Sequence, residues 1–174
     1  MRAPADIYVA VGSNIAPEQH VPEAVRRLRE AGESFAVSTF YRTRPLARPE
    51  QEDFRNGVVW LRAHVEREVL ERDLLKSIET ALGRVRSADK DAARPIDLDL
   101  AVYSEAGRVS WMDPEVLTRN FIAIPLAELA PGLELPNGMS AAQNADALGR
   151  NGLIADEGLT RSLKEWVSDE SRTR

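Results

Sequence analysis

An α+β fold, an antiparallel sheet with two helices on one face and short helical additions at the C-terminus, is what this 174-residue chain predicts. Three observations predict it. Extended apolar runs alternate with two segments whose apolar residues recur at helical spacing. The composition, 43% hydrophobic and 29% charged, is that of an ordinary globular chain. The length suits a single domain, residues 1–174, with a substantial core.

Ile7 to Val11 is apolar and β-branched, and Gly12-Ser13-Asn14 breaks it, so it reads as a buried strand and a turn. Val21, Ala24, Val25 and Leu28 then form a helical stripe, with Gly32 placed as its C-cap. Phe35 to Thr43 has strand composition, the Pro-containing segment from Arg44 to Asp53 reads as a loop, and Phe54 to Leu61 is a strand again. Leu70, Leu74, Ile78, Leu82 and Val85 make a second helical stripe, with Gly83 near its end. Ser87 to Ala93 is small, charged and aperiodic, hence a mobile loop. A strand through Asp97 and Asp99 and a short one around Arg108-Val109-Ser110 follow. The order β-α-β-β-α-β is the ferredoxin-like arrangement. Beyond it, Phe121 to Ala130 reads as helical, Pro131 to Gly138 as turns and Leu159 to Val167 as a terminal helix, with Ser168 to Arg174 polar enough to fray.

The bulk numbers exclude several classes. With 23 basic and 28 acidic residues the net charge is -5, which gives no electrostatic case for nucleic acid. A local arginine cluster could still hold a polyphosphate. The absence of cysteine removes disulfides, thiolate catalysis and cysteine-ligated zinc. His20, near a helix start, and His64, at a strand end, are placed for neither a triad nor a metal. No apolar run approaches the roughly 20 residues of a membrane span, and Met1 to Asp6 is too short and polar to open a signal peptide. A cytoplasmic monomer or weak homo-oligomer acting on small molecules is expected.

The strand from Arg94 to Tyr103 carries the chemistry. Alternation sends Ile96, Leu98, Leu100 and Val102 to one face and Asp97, Asp99, Ala101 and Tyr103 to the other. Two carboxylates two residues apart on one strand face lie about 7 Å apart and raise each other's pKa unless a cation sits between them. A hard divalent ion such as magnesium answers that need. Arg84, Arg86 and Arg94 stand nearby, and arginine suits phosphate oxygens by charge and bidentate geometry, so the group reads as a polyphosphate clamp. The competing reading is a solvated strand face with ordinary surface arginines.

Five motifs occur in order: Tyr8-Val9-Ala10-Val11-Gly12-Ser13-Asn14, Phe40-Tyr41-Arg42-Thr43, Gly83-Arg84-Val85-Arg86, Arg94-Pro95-Ile96-Asp97-Leu98-Asp99 and Pro125-Leu126-Ala127-Glu128-Leu129-Ala130-Pro131. Together, over about residues 6 to 148, they resemble the 6-hydroxymethyl-7,8-dihydropterin pyrophosphokinase family of folate biosynthesis. The resemblance implies a ferredoxin-like fold and transfer of pyrophosphate from ATP to the pterin hydroxymethyl group, leaving AMP. It implies that Asp97 and Asp99 hold two magnesium ions along the ATP phosphates, and that Arg84 and Arg94 engage those phosphates. Lys76, Glu79, Arg86, Arg108 and Ser110 fall at or beside nucleotide-contacting positions. Phe54 and Phe121 match the aromatics that sandwich the pterin, Asn56 the amide that reads its edge, and Thr43, Pro45 and Leu46 the loop lining its pocket, with Arg119 beside them. Without the resemblance, core packing explains either Phe as well. Gly12-Ser13-Asn14 reads as architectural.

The chain departs from the pattern in places. Asp113 stands at the position of a family histidine, where an ionised carboxylate would repel phosphate; its other reading is a cap on the turn Pro114-Glu115-Val116. Asp91 replaces an aromatic of some members, Arg44 a proline, and Arg55 separates Phe54 from Asn56. A divergent relative that binds pterin or nucleotide without efficient catalysis is therefore the second expectation, and a plain interaction domain the third.

Overall fold

The computed structural model describes residues 3–173. Its spine is β1 (Ala5–Ser13), whose nearly continuous apolar run from Ile7 to Val11 suits a strand covered on both faces. β4 (Phe54–Ala63) and β5 (Asp97–Glu105) flank it, both antiparallel. β6 (Arg108–Met112) extends the sheet beyond β5, while β2 (Ser34–Val37) and β3 (Tyr41–Thr43) pair with β4. The two-residue β7 (Ile154–Ala155) adds to the outer edge of β3, so among the described residues the sheet has seven strands in the order β6-β5-β1-β4-β3-β7, with β2 beside β3 on β4.

One face of this sheet is covered by α1 (Pro17–Glu30), α2 (67–81) and α5 (Glu157–Thr173). Ile7, Val9, Leu61, Leu98 and Leu100 meet Val21, Leu28, Leu70, Ile78 and Leu163 in the larger core. The opposite face is covered by α3 (Asn120–Leu129) and α4 (Ala141–Leu148), which bury Ile122, Leu126 and Ala141 on Tyr8, Val58 and Ala101. The mixed α+β architecture is the one expected, with α1 and α2 on one face.

Several local expectations are corrected. The predicted strand 35–43 is interrupted at Ser38–Phe40, where the buried Phe40 ring lies against Gly57 so closely that a Cβ there would sit 2.8 Å from it. Gly32 follows α1, but Ala31 caps that helix; Gly32 is small because a Cβ would stand 2.9 Å from Leu61 Cβ. α2 contains a π-helical stretch, Leu70–Leu75, between α-helical Arg67–Val69 and Lys76–Ala81. Five residues therefore separate the buried Leu70 and Leu75, so Leu75 joins the core-facing stripe beside Leu74, which stays partly buried against the same core. The helix ends before Val85, which is 86% exposed, because Gly83 adopts φ +85°. On β5, a register shift against Tyr8 and Val9 leaves Ala101 as an extra residue. Beyond it Val102 faces the α3 side and Tyr103 the α1 side, opposite to the simple alternation, as a bulge dictates. α4, begun by a reciprocal Ser140–Gln143 capping box, had no expected counterpart. α5 runs through Thr173 where fraying from Ser168 was expected; Arg174 lies outside the described residues.

Candidate active site

The cleft forms where β1, β4 and β5 end together. Gly12 pairs with Asn56 on one side and with Asp97 on the other, so a single row across the sheet carries an amide and a carboxylate with a glycine between them. A Cβ there would stand 2.7 Å from Asn56 Oδ1, so any larger residue would push that amide out of its place. Ala10, one pleat back on the same face, pairs with Asp99. Phe121, at the start of α3, and Phe54, at the start of β4, both line this cleft, together with Thr43 at the end of β3 and the loop residues Pro45 and Leu46. Asn56 Nδ2 donates to Thr43 Oγ1 at 2.7 Å, which orients the amide in the cleft.

Charge at the other end of the cleft is arranged around Asp97. Arg84 Nη1 donates to Asp97 Oδ1, and Arg94 Nη1 donates to Oδ2 at 2.7 Å. Arg84 also donates to Glu79, whose buried carboxylate accepts the Leu98 N–H at 2.9 Å and Arg86 Nη2 at 3.2 Å. Glu79 thus ties α2 to β5 and aims Arg84. Burial works against the Arg84 charge, but Asp97 and Glu79 outweigh it and hold the guanidinium above its usual range. The Arg94 guanidinium lies 5.9 Å from the centre of the Phe54 ring, so it closes the junction between the charged and aromatic ends.

Asp99 differs from its neighbour. It is open to solvent in the cleft, and among the described residues its carboxylate accepts no hydrogen bond. Crowding by protein, then the negative charges of Asp97 and Glu79, push its pKa up to about 7 against a smaller opposing effect of Arg84. Among the described residues no three His, Cys, Asp or Glu side chains form a ready cage. Two carboxylates with one of them unpartnered fit a hard divalent ion that takes its remaining oxygens from water and phosphate.

Two loops roof the cleft and are joined to each other. Arg48 Nη2 donates to Asp89 Oδ2 at 2.7 Å, and Gln51 Nε2 donates to the Asp91 carbonyl at 2.9 Å. Buried Asn14 lies beneath both: its Nδ2 donates to Gln51 Oε1 at 3.0 Å, and its Oδ1 accepts the Arg94 N–H at 2.8 Å. Sequence reasoning treated Asn14 as a turn residue and passed over Arg48, Gln51 and Glu115, all three of which line the cleft. Their signal, polar residues in aperiodic loops, was no different from solvated surface.

The structure gathers Thr43, Pro45, Leu46, Phe54, Asn56, Arg94, Asp97, Asp99 and Phe121 around one cleft, with Arg84 reaching it through Asp97. Glu79 is beneath that surface, directed at Arg84 and Leu98. Lys76 and Arg86 are exposed outside the lining. Arg108 pairs with Glu105, six residues along β5 from Asp99 and so about 20 Å away. Ser110, on the same strand, donates to the Tyr103 carbonyl at 3.2 Å. Arg119 precedes α3 and faces Glu115 at 3.8 Å. Asp113 caps the short helical turn Pro114–Leu117 by accepting the Glu115 N–H at 2.8 Å.

Residues 8–131 match the family model described as 7,8-dihydro-6-hydroxymethylpterin-pyrophosphokinase. The 2-amino-4-hydroxy-6-hydroxymethyldihydropteridine pyrophosphokinase of Pseudomonas aeruginosa is 35% identical over 139 residues, which cover 76% of this chain and 85% of that protein. The protein of the same name from Haemophilus influenzae is 31% identical over 137 residues, covering 75% and 84%. The one from Porphyromonas gingivalis is 29% identical over 141 residues, covering 74% and 93%.

Proposed function

The chain belongs to the 7,8-dihydro-6-hydroxymethylpterin-pyrophosphokinase family, and from that membership we infer an enzyme of folate biosynthesis that transfers a pyrophosphoryl group to 6-hydroxymethyl-7,8-dihydropterin. ATP is the co-substrate the family implies. Chemically, the hydroxymethyl oxygen bonds to the β-phosphorus of ATP while the bond from that phosphorus to the α-phosphate oxygen breaks. The proton of the hydroxyl passes to solvent, and AMP leaves.

The observation that carries this reading is the meeting, in one cleft, of a carboxylate–arginine cluster with a pair of aromatic side chains. We assign Phe54 and Phe121 to the two faces of the pterin and Asn56, oriented by Thr43, to its edge, because a flat heterocycle needs stacking and directed hydrogen bonds. Pro45 and Leu46 line that slot, and Arg119 is assigned to its border by resemblance alone. Arg84 and Arg94 are assigned to phosphate oxygens, and Glu79 to holding Arg84 in place. Lys76, Arg86, Arg108 and Ser110 are assigned to the nucleotide by resemblance alone, outside the cleft lining. Asp97 and Asp99 would hold magnesium, which when bound supplies charge neutralisation and alignment of the polyphosphate. The residues themselves orient the acceptor hydroxyl and exclude water, so catalysis is chiefly positioning and electrostatics.

Incubation of the purified protein with ATP, magnesium and the reduced hydroxymethylpterin should release AMP together with the pterin diphosphate. Formation of ADP, or no nucleotide turnover, would overturn the assignment. Asp97→Ala should lower turnover by at least about 10³-fold. Its fold should survive, since Arg84 keeps Glu79 as a partner; a wild-type rate of AMP release would exclude Asp97 from the chemistry.

A further inference from the structure

Residues 151–173 lie beyond the family match, yet they reach the pterin side of the cleft from behind. β7 sets Ile154 opposite Arg42 and Ala155 opposite Tyr41. The Asp156 N–H donates to the Phe40 carbonyl at 2.8 Å, and the Phe40 N–H donates to Thr160 Oγ1 at 2.9 Å. Asp156 is the pivot of this joint. Its Oδ1 accepts the Leu159 N–H at 3.1 Å, capping α5, and its Oδ2 accepts Arg55 Nε at 2.6 Å.

Arg55 lies between Phe54 and Asn56. Alternation along β4 puts those two side chains in the cleft and sends the Arg55 guanidinium to the opposite face of the sheet. Phe54 pairs with Thr43, the last residue of β3, and the loop from 44 to 53 that precedes it has no regular structure. At that hairpin end Phe54 has its terminal pairing with Thr43 and the Arg94 guanidinium over its ring, and the residue after it is gripped from the other face through Arg55. That grip is well shielded, with the two side chains 17% and 23% exposed, so screening by salt is weaker than for a surface pair. Burial would raise the Asp156 pKa, but the Leu159 amide and the Arg55 guanidinium prevail and hold it below the usual carboxylate range.

We propose that Asp156 is a positioning residue for pterin recognition: through its ion pair with Arg55 it fixes the start of β4, and with it the plane of Phe54 and the amide of Asn56. The proposal rests on the assignment of Phe54 and Asn56 to the pterin. It makes the C-terminal segment part of the substrate-recognition apparatus rather than an appendage to it.

The test uses the full-length chain. Asp156→Asn keeps the α5 cap, because Asn caps as well as Asp, and removes the charge opposite Arg55. It should raise both the Kd and the KM for 6-hydroxymethyl-7,8-dihydropterin about tenfold and leave the KM for ATP unchanged. Arg55→Met should show the same split, and the double variant should be no worse than either single one. Should Asp156→Asn fail to fold, Arg55→Lys, which keeps the charge but loses the Nε donor, supplies the same measurement. Equal loss of ATP and pterin affinity, or unchanged pterin affinity, overturns the proposal. Phe54→Ala separates the two layers: if it leaves pterin affinity intact, the slot assignment itself fails. If it weakens pterin binding while Asp156→Asn does not, only the positioning role fails.

Discussion

Asp99 is the residue whose environment conflicts most with its charge. Its carboxyl is pushed up to about 7, whereas in the unfolded chain it has an ordinary carboxylate value. The folded state therefore binds more protons than the unfolded state between about pH 4 and pH 7, and stability contributed by this group falls as pH rises through that window. In magnesium-free buffer, the Tm should rise as pH is lowered from 8 to 6. Asp99→Asn should raise the Tm at pH 8, flatten that dependence and abolish AMP release; a Tm below wild type at pH 8 would contradict the charge-crowding account. The pair of aspartates was legible because two residues along a strand always return to the same face. What was not legible was their inequality. It depends on Arg84 and Arg94 both turning to Asp97, and on Glu79, eighteen residues before Asp97, coming up beneath the strand.

At the scale of elements, the roof of the cleft is one assembly made from two loops. Asn14, anchored at the end of β1, bonds Gln51 in one loop and the Arg94 amide that closes the other. Asn14→Ala should cost about 1–3 kcal/mol, because the part-buried Arg94 N–H loses its acceptor and Gln51 its donor. Amide hydrogen exchange should speed up in residues 44–53 and 87–94 together; acceleration confined to one loop would show that Asn14 does not join them. Both loops were recognisable as loops from composition, but their joining was not, since it runs through polar residues of no periodicity. The β5 bulge was hidden for another reason. Ala101, Val102 and Tyr103 are all suited to burial on either face, so apolar pattern could not report a change of face there. α4 was readable in principle, from Ser140 and Gln143 at capping-box spacing.

For the molecule as a whole, the larger core joins the sheet to α5 as directly as to α1 and α2. Leu163 and Val167 are buried in the same cluster as Ile7, Leu28 and Ile78. Leu163→Ala should cost about 2–4 kcal/mol and lower the Tm by about 5–10 °C in a single transition monitored by circular dichroism. A separate early transition for the C-terminal segment would show instead that it melts alone. The overall architecture was legible because strand and helix periodicities are local properties of the chain. The attachment of β7 and α5 was not, since Arg55 and Asp156 are separated by 101 residues and neither position carries a local signal.

The π-helical stretch in α2 sets a consequence for how this lineage can change. Within 70–75 the helix accommodates one residue more than an α-helix would, so everything after it is rotated by about 100° relative to a regular continuation. That rotation is what turns Glu79 toward β5 and away from water. Loss of one codon in that stretch would regularise the helix, improve its local hydrogen bonding and swing the support of Arg84 out of place. Insertions and deletions here should therefore be more strictly purged than substitutions, even though no residue of the stretch approaches a substrate.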